Sequence, residues 1–420
     1  MIRDDMYHDV KIKITRLLRW TQLFTKIDMV YLAKGSFWMI SKQFFLSIVA
    51  FGMAIAFAKL IPKETYGFYK YAISIATMLA ITTMSGINTA LVRSVARGHE
   101  GSVISALYER IKWGLVGSGI AFGLVAYYGW QSNVMLAIIF VIIAVFLPFK
   151  SSFSVYQAYW QGKQRFDIFA KFTVFQEVLA NVPMLITLFL NKNVLVIILV
   201  YFFSQTLASA FFFILTILQR KNHSHDMDMI PYGKHISLSG ALFFIANNMT
   251  DLVIWHMLGP VSVAIFAFAT RPPNELRRLF TEAFPIALPK FSQSSKEVIQ
   301  QTLLKKIGNM YLLLIPCMSF YLFIAPWIFR VFFPEYQEAI YYSQLYSLSI
   351  LFAPLSLMGT IFQGLGRTKE IYISSMLAPL LLIIALLILT PLYGLTGVVL
   401  AILCELFLQF TISLVLFKKM

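Results

Sequence analysis

The feature that most constrains this chain is a succession of apolar runs, each long enough to cross a bilayer core of ~30 Å as a helix. They begin near Ser36, Phe68, Trp113, Val134, Phe172, Val194, Ile236, Ser262, Ile307, Ile340, Ile371 and Leu395, and short charged or Gly/Pro-rich joints separate them. A backbone placed in hydrocarbon must satisfy its own amide groups, and a helix does so within each segment. The pattern predicts an all-α polytopic membrane protein of about twelve spans. Composition agrees: 59% of the 420 residues are hydrophobic and 13% are charged, where a soluble chain has about a quarter charged. A soluble globular fold is excluded. Cys317 and Cys404 both fall inside apolar runs, so neither a disulfide framework nor a zinc site is expected.

The formal net charge of +16 would point to nucleic acid in a soluble protein, but in a membrane protein Lys and Arg collect on cytoplasmic loops. An even number of spans puts both termini on one side. With that side cytoplasmic, 25 basic residues fall on cytoplasmic segments and four (Lys59, Lys63, Lys192 and Arg330) on the other. The charge is therefore read as orientation, with cytoplasmic termini, and no nucleic-acid partner is expected. Within residues 1–34, Val10, Ile14, Leu17, Leu18 and Phe24 recur at helical spacing opposite Lys13, Arg16, Arg19 and Lys26, the pattern of an amphipathic helix lying on membrane lipids.

The outward loops are short, which disfavours a polymerase or glycosyltransferase working on the outer face. The largest joint, residues 219–235, divides the chain into an N-terminal bundle (35–218) and a C-terminal one (236–420). The halves echo each other: Gln161 and Gly162 recur as Gln363 and Gly364, and Pro62 recurs as Pro260. A six-span unit used twice is expected, with its halves related by an axis along the membrane normal.

The stretches KGSFWMISKQFF, LIPKETYGFYKYA, SGINTALVRSVARG, QGKQRF, QGLGR and FPIALPKF occur in this order from Lys34 onward. Together they resemble the Wzx-type polysaccharide flippases of the multidrug, oligosaccharidyl-lipid and polysaccharide exporter superfamily. The resemblance implies two six-helix bundles around a central cavity, alternating access, and no enzymatic activity. It also implies an undecaprenyl-pyrophosphate-linked oligosaccharide as cargo, flipped across a bacterial inner membrane, with polysaccharide-assembly proteins as further partners. No cofactor is implied, and a proton or sodium gradient is the open choice of energy source. Relatives that flip the peptidoglycan precursor have basic residues in spans one, two and eight. Lys42, Lys70 and Arg271 occupy comparable spans here. Drug-exporting relatives often have a carboxylate in the first span, and this chain has none.

Ionisable residues deep in a span are costly and by default mark a pathway. Those here are Lys42, Lys70, Lys150, Glu177, Asp251, Arg271, Glu275, Arg277, Arg278, Glu282 and Glu405. Lys70 and Lys150 stand near span ends, where snorkelling is an alternative. Glu405 has Gln409 one turn on, so it reads equally as a packing hydrogen bond or a coupling group. Arg271 is followed by Pro272 and Pro273, which predicts a break that sets a helix N-terminus beside a guanidinium at mid-depth, an anion site. Arg277 and Arg278 are joined to that substrate site. The competing arrangement is a salt ladder of Arg271, Glu275, Arg278 and Glu282 on one stripe. On the seventh span, Asn247, Asn248 and Asp251 form a polar patch. Asn248 is a substrate-binding candidate, and Asp251 either pairs with Arg271 or carries a coupling proton.

Overall fold

The computed structural model describes residues 29–239, 241–281, 296–364 and 368–419. The amphipathic N-terminal pattern, Glu282 and the FPIALPKF motif lie outside these residues. The described chain is helical with short 3-10 segments: α1 (Met29–Leu60), α2 (Lys63–Leu79), α3 (Gly86–Ala96), α4 (Ser102–Trp130), α5 (Val134–Phe153), α6 (Val155–Gly162), α7 (Phe166–Leu190) and α8 (Val194–Leu218). The second part of the expected joint is helical, since α9 (Met229–Ser239) starts inside it; then come α10 (Ala241–Leu258), α11 (Pro260–Thr281), α12 (Lys296–Phe332), α13 (Ala339–Tyr346), α14 (Pro354–Gly364) and α15 (Thr368–Lys419). Among the described residues eight helices are long and apolar enough to span a membrane, nine if α2 and α3 count as one bent span. The eighth span, α11, falls outside that group because it carries Arg271, Glu275, Arg277 and Arg278.

Two spans are less regular than their periodicity predicts. The second is broken: after α2 a 3-10 turn over Ala80–Thr83 leads to Met84 at φ 53°, and α3 leaves at 50°. Arg110 bridges the break, donating to Thr83 Oγ1 at 3.4 Å and to Asn88 Oδ1. Arg110 is one of the 25 basic residues that the charge count assigns to cytoplasmic segments, but α4 starts at Ser102 and Arg110 is only 3% exposed. Its amphipathic stem and two neutral acceptors let it sit within the helix. The other irregularity is α15, whose 52 residues contain Gly394 at φ 58° and ψ −138°. Leu382 and Ile402 line the same cavity, although 20 helical residues would separate them by ~30 Å. The chain therefore reverses at Gly394, where a residue without Cβ is suited to the positive φ, and α15 comprises spans eleven and twelve.

Helices before and after the central joint form two bundles that meet through α2 and α11. Gly67 touches the carbonyl of Pro260 so closely that a Cβ would lie 2.0 Å from it. Around this contact Phe57 and Tyr66 of the first bundle pack with Phe268, Phe333 and Tyr336 of the second. Lys63 and Glu338 pair at 2.6 Å across the same end, which the loop charges assign to the outside. Pro62 and Pro260, matched in the repeat, both stand at helix starts.

The central joint is tied to the first bundle. Glu100 is 3% exposed and accepts from Lys163 Nζ at 2.7 Å, Tyr159 hydroxyl at 2.6 Å and the Lys221 amide at 2.8 Å. Burial alone would raise its carboxyl, but these donors outweigh that effect and hold it at about 2. Farther along, α9 packs on α3, where Ser237 Oγ accepts from the Gly86 amide at 2.9 Å.

Candidate functional site

Between the bundles lies a cavity of about 490 Å³. Ala50 of α1, Tyr66 and Lys70 of α2, and Thr250 and Asp251 of α10 form one side. The polar stripe of α11 from Thr270 to Arg278 faces them, and Tyr346 of α13 with Glu405 of α15 completes the wall. The stripe arises because α11 changes character along its length. Val263, Ala264 and Phe268 are buried in the seal between bundles, while the following turns present Arg271, Asn274 and Arg278 at helical spacing.

Arg271 starts its side chain ~16 Å along α11, near mid-depth. Its Nη2 donates to the backbone carbonyl of Ala50 at 2.6 Å, so this guanidinium crosses from one bundle to the other without a carboxylate partner among the described residues. Lys70 pairs with Asp251 at 3.4 Å, and Asp251 also accepts from Ser74. Glu275 accepts from Arg278 at 3.2 Å and from Ser47 of α1 at 3.4 Å. Arg277 and Glu405 line the wall without an ion pair among the described residues. Four cations and three carboxylates thus share a space that opens between otherwise apolar bundles, a setting in which each charge is weakly screened.

Several expectations change. The Pro pair does not break its helix: α11 runs from Pro260 to Thr281 with both prolines inside, so no helix N-terminus faces the cavity beside Arg271. Two prolines remove only the ladder bonds to Phe268 and Ala269, and packing of α11 against α2 and α13 holds the rest. Among the described residues the salt ladder keeps its Glu275–Arg278 rung and loses the one from Arg271, which turns to Ala50, while Glu282 lies outside the described residues. Asp251 pairs with Lys70 rather than Arg271, so Lys70 does not snorkel away.

Lys42 lies over the Phe169 ring at 4.7 Å and Asn248 stands one turn before Asp251, and neither lines the cavity. Among the described residues of α1, Ala50 lines the cavity, two turns beyond Lys42, which turns instead to Phe169 of α7. Of the residues expected to bind cargo, Arg271, Lys70, Arg277 and Arg278 come together. Of the coupling residues, Asp251, Glu275 and Glu405 join them. Lys150 caps Tyr201, its Nζ donating to the hydroxyl at 3.2 Å.

Sequence reasoning missed Asn274, which accepts from Tyr346 hydroxyl at 3.1 Å, and Tyr66. Asn274 could have been found, since it follows the proline pair on the same stripe as Arg271 and Arg278. Tyr66 and Tyr346 carry no comparable signal, because aromatic residues near span ends usually belong to the interfacial belt.

The family profile described as polysaccharide biosynthesis protein matches residues 32–295. That described as lipid II flippase MurJ matches residues 256–420. Among solved structures, the fold is similar to lipid II flippase MurJ in an inward closed conformation, with 16% identity over 92% of this chain and 87% of that one and a TM-score of 0.67. An inward-facing multidrug resistance MATE family transporter has 14% identity, coverage of 89% and 94%, and a TM-score of 0.63. A MOP superfamily transporter from Pyrococcus furiosus has 15% identity, coverage of 92% and 95%, and a TM-score of 0.58. No match was found among curated protein sequences. The chain belongs to the polysaccharide biosynthesis protein family, within the MOP superfamily of membrane transporters and flippases.

Proposed function

We propose that this protein flips an undecaprenyl-pyrophosphate-linked oligosaccharide from the cytoplasmic to the periplasmic leaflet of a bacterial inner membrane by alternating access. The observation that carries this reading is Arg271, a mid-depth guanidinium whose hydrogen bond among the described residues goes to a backbone carbonyl across the bundle interface. A phosphate oxygen is a stronger acceptor than that carbonyl and matches the planar donor fork. An arriving pyrophosphate would therefore exchange with Ala50 and loosen one contact that joins α1 to α11. Lys70, Arg277 and Arg278 add attraction, and Asp251, Glu275, Glu405 and Asn274 offer acceptors for sugar hydroxyls.

The lipid tail stays in the bilayer, and the aromatic seal around Tyr66, Phe268 and Tyr336 closes the periplasmic end in this conformation. An excess of cations and an α1 without carboxylates favour anionic cargo over cationic drugs. Both termini are cytoplasmic in this reading, and assembly proteins of the same pathway are the natural neighbours.

The test is Arg271→Ala in cells that lack the native protein. Surface polysaccharide is expected to disappear and lipid-linked repeat units to accumulate on the cytoplasmic side, while the variant inserts normally. Normal export by an inserted variant would overturn the proposal.

A further inference from the structure

On the alternating-access reading, we infer that the joint is a strap built into the first bundle, and that the bundles rock where the chain passes from α9 to α10. Boundaries between moving units ordinarily fall in exposed, flexible linkers. This one is fastened along its length to the turn between α3 and α4. Asn222 Nδ2 and Ser224 Oγ both donate to the Gly98 carbonyl, at 2.9 and 3.2 Å. Asn222 Oδ1 accepts from the Glu100 amide at 3.2 Å, and Ser102 Oγ accepts from the Asp226 amide at 2.9 Å. The His225 ring meets Ser105 Oγ at 3.2 Å, and Gly101 lies against the His223 carbonyl with no room for a Cβ.

The fastening continues through α9. Glycines let α9 and α3 meet backbone to backbone: a Cβ on Gly86 would lie 2.5 Å from the Ser237 nitrogen, and one on Gly233 2.8 Å from Ile87 Cα. Met229 is buried in the same cluster as Ile87, Tyr159 and Phe212 of the first bundle. Along the edges of α9 the Arg93 guanidinium covers the Tyr232 ring at 5.1 Å, and Lys234 pairs with Glu109 of α4 at 3.1 Å. The next helix has other neighbours. α10 packs on α15 and α11 of the second bundle and on α2 across the interface, and it supplies Asp251 to the cavity.

The two places where the chain could flex differ in cost. Peeling the strap away in each cycle would withdraw the Lys221 amide from the buried Glu100 carboxylate and leave polar groups of the α3–α4 turn unmatched. Close glycine contacts would open as well, with loss of packing that a cavity does not return. Rotation between α9 and α10 breaks none of these bonds. The joint and α9 therefore travel with the first bundle, and the second bundle moves against them.

The test joins pairs of thiols in the full chain, with Cys317 and Cys404 replaced by Ala, using a short membrane-permeant bifunctional maleimide. One pair, Ser105→Cys with His225→Cys, ties the joint to α4. Another, Lys63→Cys with Glu338→Cys, ties the bundles together across the outer seal. Surface polysaccharide export is expected to continue unchanged with the first pair joined and to stop with the second. Export lost on joining the first pair would overturn the inference and leave alternating access standing. Export that persists with the outer pair joined would overturn alternating access, and the inference with it. Should the first variant fail to fold, Arg93→Cys with Tyr232→Cys, joining α3 to α9, gives the same two-way answer.

Discussion

Two charged regions of this protein use the same residue types to opposite ends. Around Glu100 a carboxylate, a lysine and a tyrosine are matched by short hydrogen bonds, and Glu100 is almost inaccessible. In the cavity the charges are poorly matched. Arg271 relies on a carbonyl, Lys70 reaches Asp251 at 3.4 Å, and Arg277 has no ion pair among the described residues. A saturated cluster fixes structure, because a further ligand would have to displace strong bonds. An unsaturated one leaves interaction energy for cargo, since buried polar groups gain most when their partners are completed.

This contrast can be broken in three places. The largest effect is expected at Lys70. If the cavity charges serve cargo, Lys70→Met removes a charged contact worth about 1.5–3 kcal/mol, lowering flipping by roughly 10- to 100-fold. The added change Asp251→Asn should restore folding stability lost through the unpaired carboxylate but not transport, which thermal unfolding and export assays on the same variants would separate. Recovery of export in the double variant would make the pair structural, like the Glu100 cluster.

At Glu100 the expectation is reversed. Glu100→Gln should cost about 1–3 kcal/mol of stability by leaving buried partners unmatched, with export near normal once the protein is folded. Because the folded carboxyl is held at about 2, below its ordinary 4.5, its stabilisation is fully present above pH 4.5 and is lost as pH falls toward 2. Unfolding measured across that window should show the slope in the native protein and a flatter one in Glu100→Gln. The smallest effect is expected for Arg278→Ala. Its pair with Glu275 joins an exposed guanidinium to a half-buried carboxylate three residues away, so the stability change should stay within about 0.5 kcal/mol. A large loss of stability there would mean that the cavity charges are also a scaffold.

Much of this arrangement is legible in the chain. The apolar runs gave α1, α4, α5, α7, α8 and α12 their identities, and depth singled out Arg271, Arg277, Arg278, Asp251, Glu275 and Glu405, though in the same group as Lys42, Lys150 and Glu177, which do not line the cavity. Partners were not legible. Arg271 bonds to a backbone carbonyl, a group every residue possesses, and Asp251 chooses Lys70 from a span far away in sequence. The proline pair shows a related limit: local rules predict a break, yet neighbouring helices hold α11 continuous.

The sequence by itself determined that the chain crosses a membrane many times, because hydrocarbon length and backbone hydrogen bonding dictate helices of a given size. It also singled out most of the charges within those helices, Arg110 of α4 being an exception. Only the tertiary structure decided which of them meet in the cavity and which are locked around Glu100. Those outcomes depend on how helices rotate and cross, and side-chain directions across a bundle interface are set by packing between segments distant in the chain.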